Sequence, residues 1–253
     1  MIVQNCTFTV HFPRNDNIRE SIFDLEKQLS GFQKPFTLVP LPPDAPLDIP
    51  RIIAITDNQH SQLVFNGNSA QITTSFDSIY NSNIEKCLDY MKDKCSKLIE
   101  SLHIIGAEQY GKPKFYFSGL SISLLFDQED GIDDPIEYLS ERFIRLKSNM
   151  KTDEAGLRIA LVADDSFYVN IMLQNLRIFS NEPDERGSLA GISVQKNALQ
   201  VVIDINDRFA FNTITGYTSS EETVRKVVDL VEKLSKTNIK SLIEDGEVLY
   251  AKQ

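Results

Sequence analysis

Residues 83–104 read NIEKCLDYMKDKCSKLIESLHI. The apolar side chains are Ile84, Cys87, Leu88, Met91, Cys95, Leu98, Ile99 and Leu102. They recur at steps of three and four almost throughout, which lays them along one stripe of an α-helix. The opposite face carries Glu85, Lys86, Asp89, Lys92, Asp93, Lys97 and Glu100. At about 3.6 residues per turn this is an amphipathic helix of about six turns. Such a helix needs a surface to cover, and the strand-like segments before it supply one. A second helix of the same kind runs over Ser219–Ile243, with Val224, Val227, Val228, Val231 and Leu234 in its stripe. Ile239, Leu242 and Ile243 continue it less regularly.

Working outward, IVQNCTFTVHF (2–12) alternates from Val3 onward, so Cys6, Phe8, Val10 and Phe12 share one face of a strand. Ile18, Ile22, Leu25, Leu29 and Phe32 then predict a helix over about 17–29, with Gly31 as its stop signal. Pro35, Pro40, Pro42, Pro43, Pro46 and Pro50 mark an extended surface connection that cannot be a ladder strand. Segments 51–56, 62–66 and 70–76 read as short strands, the last two joined by Asn66-Gly67-Asn68 as a tight hairpin. After a connector at 103–114 the order begins again. FYFSGLSISLLF (115–126) is a strand. Asp134 and Pro135 open a helix that continues through Ile136, Leu139, Phe143 and Leu146. Segments 157–162, 167–179 and 198–205 are strand-like, with Asp164-Asp165 marking one turn and 181–187 a longer polar one.

Both halves therefore spell strand, helix, strands, long helix. The expected fold is α+β, an antiparallel β-sheet packed against two long amphipathic helices, with internal duplication of that unit. The units are 1–105 and 115–253, joined in one pseudo-symmetric domain because the connector is short. If each helix covers one sheet face, the other face still carries apolar positions such as Phe115, Phe117, Val169 and Ile171, which are expected to meet the other half or a second subunit.

The layout resembles a sporadically distributed family of prokaryotic proteins of about this length that carries no assigned activity. The resemblance lies in Pro50-Arg51 leading a strand, in QLVFNGNSAQITTSFDSIYNSNIEKCL (62–88), and in LQVVIDIND (199–207) followed by a helix ending in IKSLIEDGEVL (239–249). It covers most of the chain as layout and those stretches as residues. The tryptophan and the arginine- and tyrosine-rich strand associated with that family after its first long helix are missing. The resemblance implies no catalytic residues.

The chain has 253 residues, 42% hydrophobic and 25% charged, enough to bury a sizeable core. A net charge of −10 argues against a nucleic-acid partner, which calls for a basic surplus. Cys87 and Cys95 stand eight apart on one helix, about 12 Å, too far for a disulfide. With Cys6 they read as free thiols of a reducing compartment, and with no leader-like start or bilayer-length apolar run the expected location is cytoplasmic.

Chemical motifs are sparse. His11, His60 and His103 share no metal-ligand spacing, and no CxxC is present, so no metal or cofactor is expected. Cys6 and His11 have opposite parity on their strand. The acidic run 127–134 does not fit an EF-hand frame and reads as a solvated loop that caps the next helix. Asp204 and Asn206 point to one face of the strand QVVIDIND, with Asp207 after them. These are candidate oxygen ligands or general bases, set against the plainer reading of a sheet's solvent face. Phosphate-cradling glycine motifs and a nucleophile elbow are absent.

Three functions remain. The first is a non-enzymatic binding or accessory protein that acts through protein contacts or self-association. The second is an enzyme with a dispersed acidic site at Asp204 and Asp207. The third is a small-molecule carrier with a pocket between sheet and long helix. A deep enclosed pocket with convergent polar groups favours the last two, and a flat apolar face the first.

Overall fold

The computed structural model describes residues 1–42, 45–106, 108–109, 112–113, 115–144, 150, 152–183 and 189–248. The strands are β1 (Ile2–His11), β2 (Thr37–Leu38), β3 (Ile52–Ile55), β4 (Ser61–Phe65), β5 (Ser69–Ser75), β6 (Glu108–Gln109), β7 (Lys112–Pro113), β8 (Phe117–Phe126), β9 (Gly156–Ala163), β10 (Phe167–Pro183) and β11 (Leu189–Asn206). The helices are α1 (Ile22–Gln28), α2 (Ile84–Ile104), α3 (Pro135–Leu139), α4 (Arg208–Thr213), α5 (Glu221–Lys233) and α6 (Ile239–Asp245). Nine strands make one sheet in the order β2-β3-β4-β5-β1-β8-β11-β10-β9, antiparallel throughout; β6 and β7 pair with each other.

Parity explains which face each side chain takes. Along β1, Cys6, Phe8 and Val10 point to the covered face, and each is fully buried. Val3 joins them although it stands three residues before Cys6, because the register against β8 slips by one residue between Val3 and Asn5. Gln4 is the extra residue of that bulge. On β8, Leu120, Ile122 and Leu124 continue the same face, as do Val201, Ile203 and Ile205 on β11. The pairs Phe8–Leu120 and Cys6–Ile122 lie directly opposite each other.

Two long helices cover this face side by side. Helix α2 packs on β1 and β5, and α5 packs on β8 and β11. The caps follow the sequence. Asn83 accepts from the Lys86 amide at 3.0 Å, and Ser220 accepts from Thr223 at 3.2 Å. Gly106, with φ +71°, supplies the left-handed residue just beyond α2. The helices also touch each other: Lys92 meets Glu232 at 2.8 Å, and Glu232 meets Lys236 at 2.6 Å. From Leu234 to Asn238 the turn widens into a π-helix before α6 resumes. That is why the apolar stripe, read at threes and fours, steps by five from Leu234 to Ile239.

Several expectations need correction. Phe115, Val169 and Ile171 lie on the covered face or beneath α5, at 0%, 4% and 2% exposure, so they offer nothing to a second subunit. Only Phe117 of that group faces outward. The proline passage does contain a strand, the two-residue β2, paired to β3 at the sheet edge, where proline is tolerated. Arg51 organises the rest of it, donating to the carbonyls of Ile49, Ala45 and Pro46 at 3.0 Å each. The first helix begins as a 3₁₀ turn, Ile18–Ser21, which shortens α1. Strands β10 and β11 run well past the expected 167–179 and 198–205. The expected polar turn at 181–187 falls largely outside the described residues, as does Leu146 at the end of the third helix; α3 passes into a π-helical segment, Ser140–Ile144. Helix α4 was not foreseen. Asp164 and Asp165 do form the hairpin turn between β9 and β10, with φ of 51° and 49°.

Leu98 on α2 is fully buried between helix and sheet. Leu98→Ala is expected to cost about 2–5 kcal/mol, measured as a lower urea midpoint at unchanged slope. A loss below about 1 kcal/mol would mean that α2 does not seat this side chain in the core.

Candidate functional site

The uncovered face of the sheet is built from the other parity of the same strands. In CTFTVH and SGLSIS the outward residues are threonine, serine and glycine with His11 at one end, where a solvent face ordinarily carries lysine and glutamate. One register row reads Gln62, Thr73, Thr7, Ser121, Asp204, Asn170 and Ala160. The next reads Val64, Gln71, Thr9, Gly119, Asn206, Tyr168 and Val162.

These side chains fix one another. The Thr7 and Thr73 hydroxyls are 3.3 Å apart, and Gln71 Nε2 donates to Thr73 Oγ1 at 2.9 Å. Gln174 Nε2 donates to Gln200 Oε1 at 2.6 Å. Gln200 Nε2 in turn donates to Gln4 Oε1 at 2.8 Å and to Ser123 Oγ at 3.0 Å. The bulge residue Gln4 is thus tied into the polar layer.

At the centre the small side chains leave a trough of about 330 Å3. Thr7, Thr9, Gly119 and Ser121 form its floor. Gln71 stands on the β5 side, Asp204 and Asn206 on the β11 side, and His11, Phe117 and Arg208 at one end. Gly119 is required by close approach: a Cβ there would lie 2.8 Å from Asn206 Cβ and 3.3 Å from the Ile205 carbonyl. Helix α4 builds the end wall. Its Phe211 packs on Phe117 with ring centroids 5.3 Å apart, Phe117 stacks on His11 at 4.4 Å, and the Arg208 guanidinium lies 5.7 Å from the Phe117 ring centre. Burial, and then the Arg208 charge, hold the His11 imidazole below its ordinary pKa.

Asp204 accepts from Asn170 Nδ2 at 2.8 Å and from Asn206 Nδ2 at 2.9 Å, both at Oδ2. Burial raises its pKa; the two amide bonds and the Arg158 charge act in the opposite direction. A cation approaching Oδ2 would have to displace two amide donors. Asp207 is different. One parity step puts its side chain inside, where it accepts from the Ser118 amide at 2.6 Å and from the Tyr217 hydroxyl at 2.7 Å. It ties β8 to the chain leading into α5. The two carboxylates therefore sit on opposite sides of the sheet and share no substrate space.

The other candidates are dispersed. Cys6, Cys87 and Cys95 are buried free thiols, and burial pushes Cys87 up to about 11 and the other two well above the usual range. His60 lies near Asp77 at 3.6 Å, beside Tyr80 and Tyr90. His103 sits in the last turn of α2. In the acidic loop Asp127 and Asp130 close a capping box, Asp130 meets the Met1 amino group, and Asp134 caps α3 through the amides of Ile136 and Glu137. Among the described residues no three His, Cys, Asp or Glu side chains are grouped as a metal would need, and no helix is long and apolar enough to cross a membrane. The space between α2 and the sheet is filled by Phe8, Ile72, Met91 and Leu98. A second cleft, about 430 Å3, runs along the outer surface between α2 and α5.

Sequence reasoning found Asp204 and Asn206 and their common face. It missed Gly119, Ser121, Thr7, Thr9, Asn170 and Arg208. The available signal was the run of uncharged polar residues at period two in the two central strands. No protein-family model matches this sequence, and no curated protein shows significant similarity to it.

The two aspartates separate experimentally. Asp207→Ala leaves a buried amide and a hydroxyl without an acceptor and is expected to cost about 2–3 kcal/mol. For Asp204 the folded-state pKa lies above the unfolded one, so its contribution is most favourable in acid and is lost as pH rises from about 4 toward neutrality. Asp204→Asn is expected to flatten that part of the pH–stability curve in urea titrations. An unchanged slope would place Asp204 in water.

Proposed function

We propose that the protein is a non-enzymatic accessory protein that binds another protein through the open face of its sheet. The observation that supports this most is the polar layer of the open face, in which three groups of side chains are hydrogen-bonded among themselves: Thr7, Gln71 and Thr73; Gln4, Ser123, Gln174 and Gln200; and Asn170, Asp204 and Asn206. Pre-ordered groups cost little entropy on binding. The eight strands from β3 to β9 span about 34 Å at about 4.8 Å each, and three to four outward residues per strand span about 20 Å. The face is then about 700 Å2, close to the roughly 800 Å2 that a standard interface takes from each partner. Tyr168, Phe117 and Met172 on this face are residue types that anchor interfaces. The polar character suits a partner that exchanges rather than an obligate dimer. The trough would take a projecting side chain or loop, with Asp204 accepting from it. A small ligand is normally buried over most of its surface, and a trough lying along a sheet gives less cover. The separation of Asp204 from Asp207 removes the main support for a dispersed acidic active site.

We also propose that the two units are a duplication. Read outward from the β1–β8 pair, the order is β1, β5, β4, β3 on one side and β8, β11, β10, β9 on the other. In each half a helix follows the first strand and a long helix follows the last. The short β2 belongs to the first half alone and α4 to the second.

The test uses affinity-tagged protein in its own host, with native mass spectrometry of what is retained. Ser121→Arg and Thr9→Arg alter the centre of the open face; Lys86→Glu alters the outer surface of α2 and serves as control. A stoichiometric protein partner should be retained by the wild type and the control and reduced about tenfold or more by the two arginine variants. Equal retention by all four proteins, or a bound small molecule in place of a protein, contradicts the proposal.

A further inference from the structure

The two edges of the sheet are built differently. One edge is β2, two residues long, with Pro35 and Pro40 close on either side. Short length and proline are ordinary ways to keep an edge from pairing. The other edge is β9, GLRIALVA, eight residues long. It has no proline, keeps continuous register against β10 from Gly156 to Ala163, and carries one charge, Arg158. Leu161 and Val162 are 38% and 47% exposed. Among the described residues no strand pairs with its outer side. A long, regular, apolar edge with unpaired backbone groups is the feature that strand addition uses.

Charge decides the occupant. Glu154 lies just before β9, and Asp164 and Asp165 just after it. Pairing β9 with a second copy in antiparallel register, Gly156 against Ala163, would set Glu154 against Asp165 at both ends. Parallel pairing in register would set each of these carboxylates against itself, and Arg158 against Arg158. Like charges directly opposite destabilise a strand pair. A strand with basic residues at both ends meets no such penalty, and the chain's net charge of −10 favours its approach.

We propose that β9 accepts an extended strand from a partner protein, one that alternates apolar residues and is flanked by lysine or arginine. This surface is the sheet's edge and stands or falls independently of the open face.

The probe is a fluorescein-labelled peptide, Lys-Lys-Val-Thr-Val-Thr-Val-Lys-Lys, added to the full chain. Binding is followed by anisotropy and by amide hydrogen exchange. Two controls accompany it: the same peptide with glutamate for lysine, and a charge-matched peptide with proline for both threonines. The lysine peptide should bind at least about tenfold more tightly than either control and should slow exchange within residues 157–162. Glu154→Lys should weaken the lysine peptide and strengthen the glutamate one, which a merely unfolded variant would not do. Equal binding of the proline control, protection elsewhere in the chain, or a β9 already protected in a dimer of the protein alone would overturn the proposal.

Discussion

The antiparallel pairing of β1 with β8 is the constraint on which the rest depends. It joins the first strand of each half at the middle of the sheet, and its register decides which side chains the helices see. A slip of β8 by one residue would turn Leu120, Ile122 and Leu124 to the open face. The Gln4 bulge adjusts the start of β1 so that Val3 still points inward, and Gly119 lets β11 close tightly on β8. The four central strands, β5, β1, β8 and β11, have one face under α2 or α5 and one face open. Specificity of register therefore comes from burial on one side, and the working surface is what burial leaves over.

The long helices were legible because their stripes are regular and their caps are standard: Asn83 and Ser220 at the starts, Gly106 after the first. The strand pattern of the first half was legible for a similar reason, alternation bounded by turn residues. What was not legible depends on contacts distant in sequence. Strands β10 and β11 extend because they pair with each other, and neither segment alternates cleanly at its far end. Helix α4 is short, and its would-be cap, Asp207, is turned inward to Ser118 and Tyr217. Gly67 stands in the expected hairpin between β4 and β5, and what it serves there is close approach: a Cβ would lie 2.7 Å from the Leu47 side chain.

The site was half legible. Period two placed Asp204 and Asn206 on one face, but Asp207 was grouped with them although the structure turns it inside, and sequence alone could not tell which face was covered. The apolar residues Phe115, Val169 and Ile171 suggested an exposed hydrophobic surface, and the helices take them instead. Thr7, Thr9 and Ser121 attract no attention singly. They become a surface only when pairing sets β5, β1, β8 and β11 side by side, with Thr7 and Thr73 bonded across β1 and β5 and Asp204 and Asn206 beside Ser121 and Gly119. Threonine, serine and glycine at alternate positions of the two central strands, in a chain of this acidity, are the sequence-level trace of that surface.

The two-sided sheet can be tested most directly by thiol labelling, because the native cysteines provide a silent background. Cys6, Cys87 and Cys95 are buried, and burial suppresses their thiolates. Thr7→Cys and Ser121→Cys would place thiols on the open face, one residue from covered Cys6 and Ile122. With maleimide under native conditions, both new thiols should react at close to the rate of a free thiol while Cys6 stays unlabelled until the protein unfolds. Protection of Thr7→Cys and Ser121→Cys, or labelling of native Cys6, would contradict the assignment of the faces.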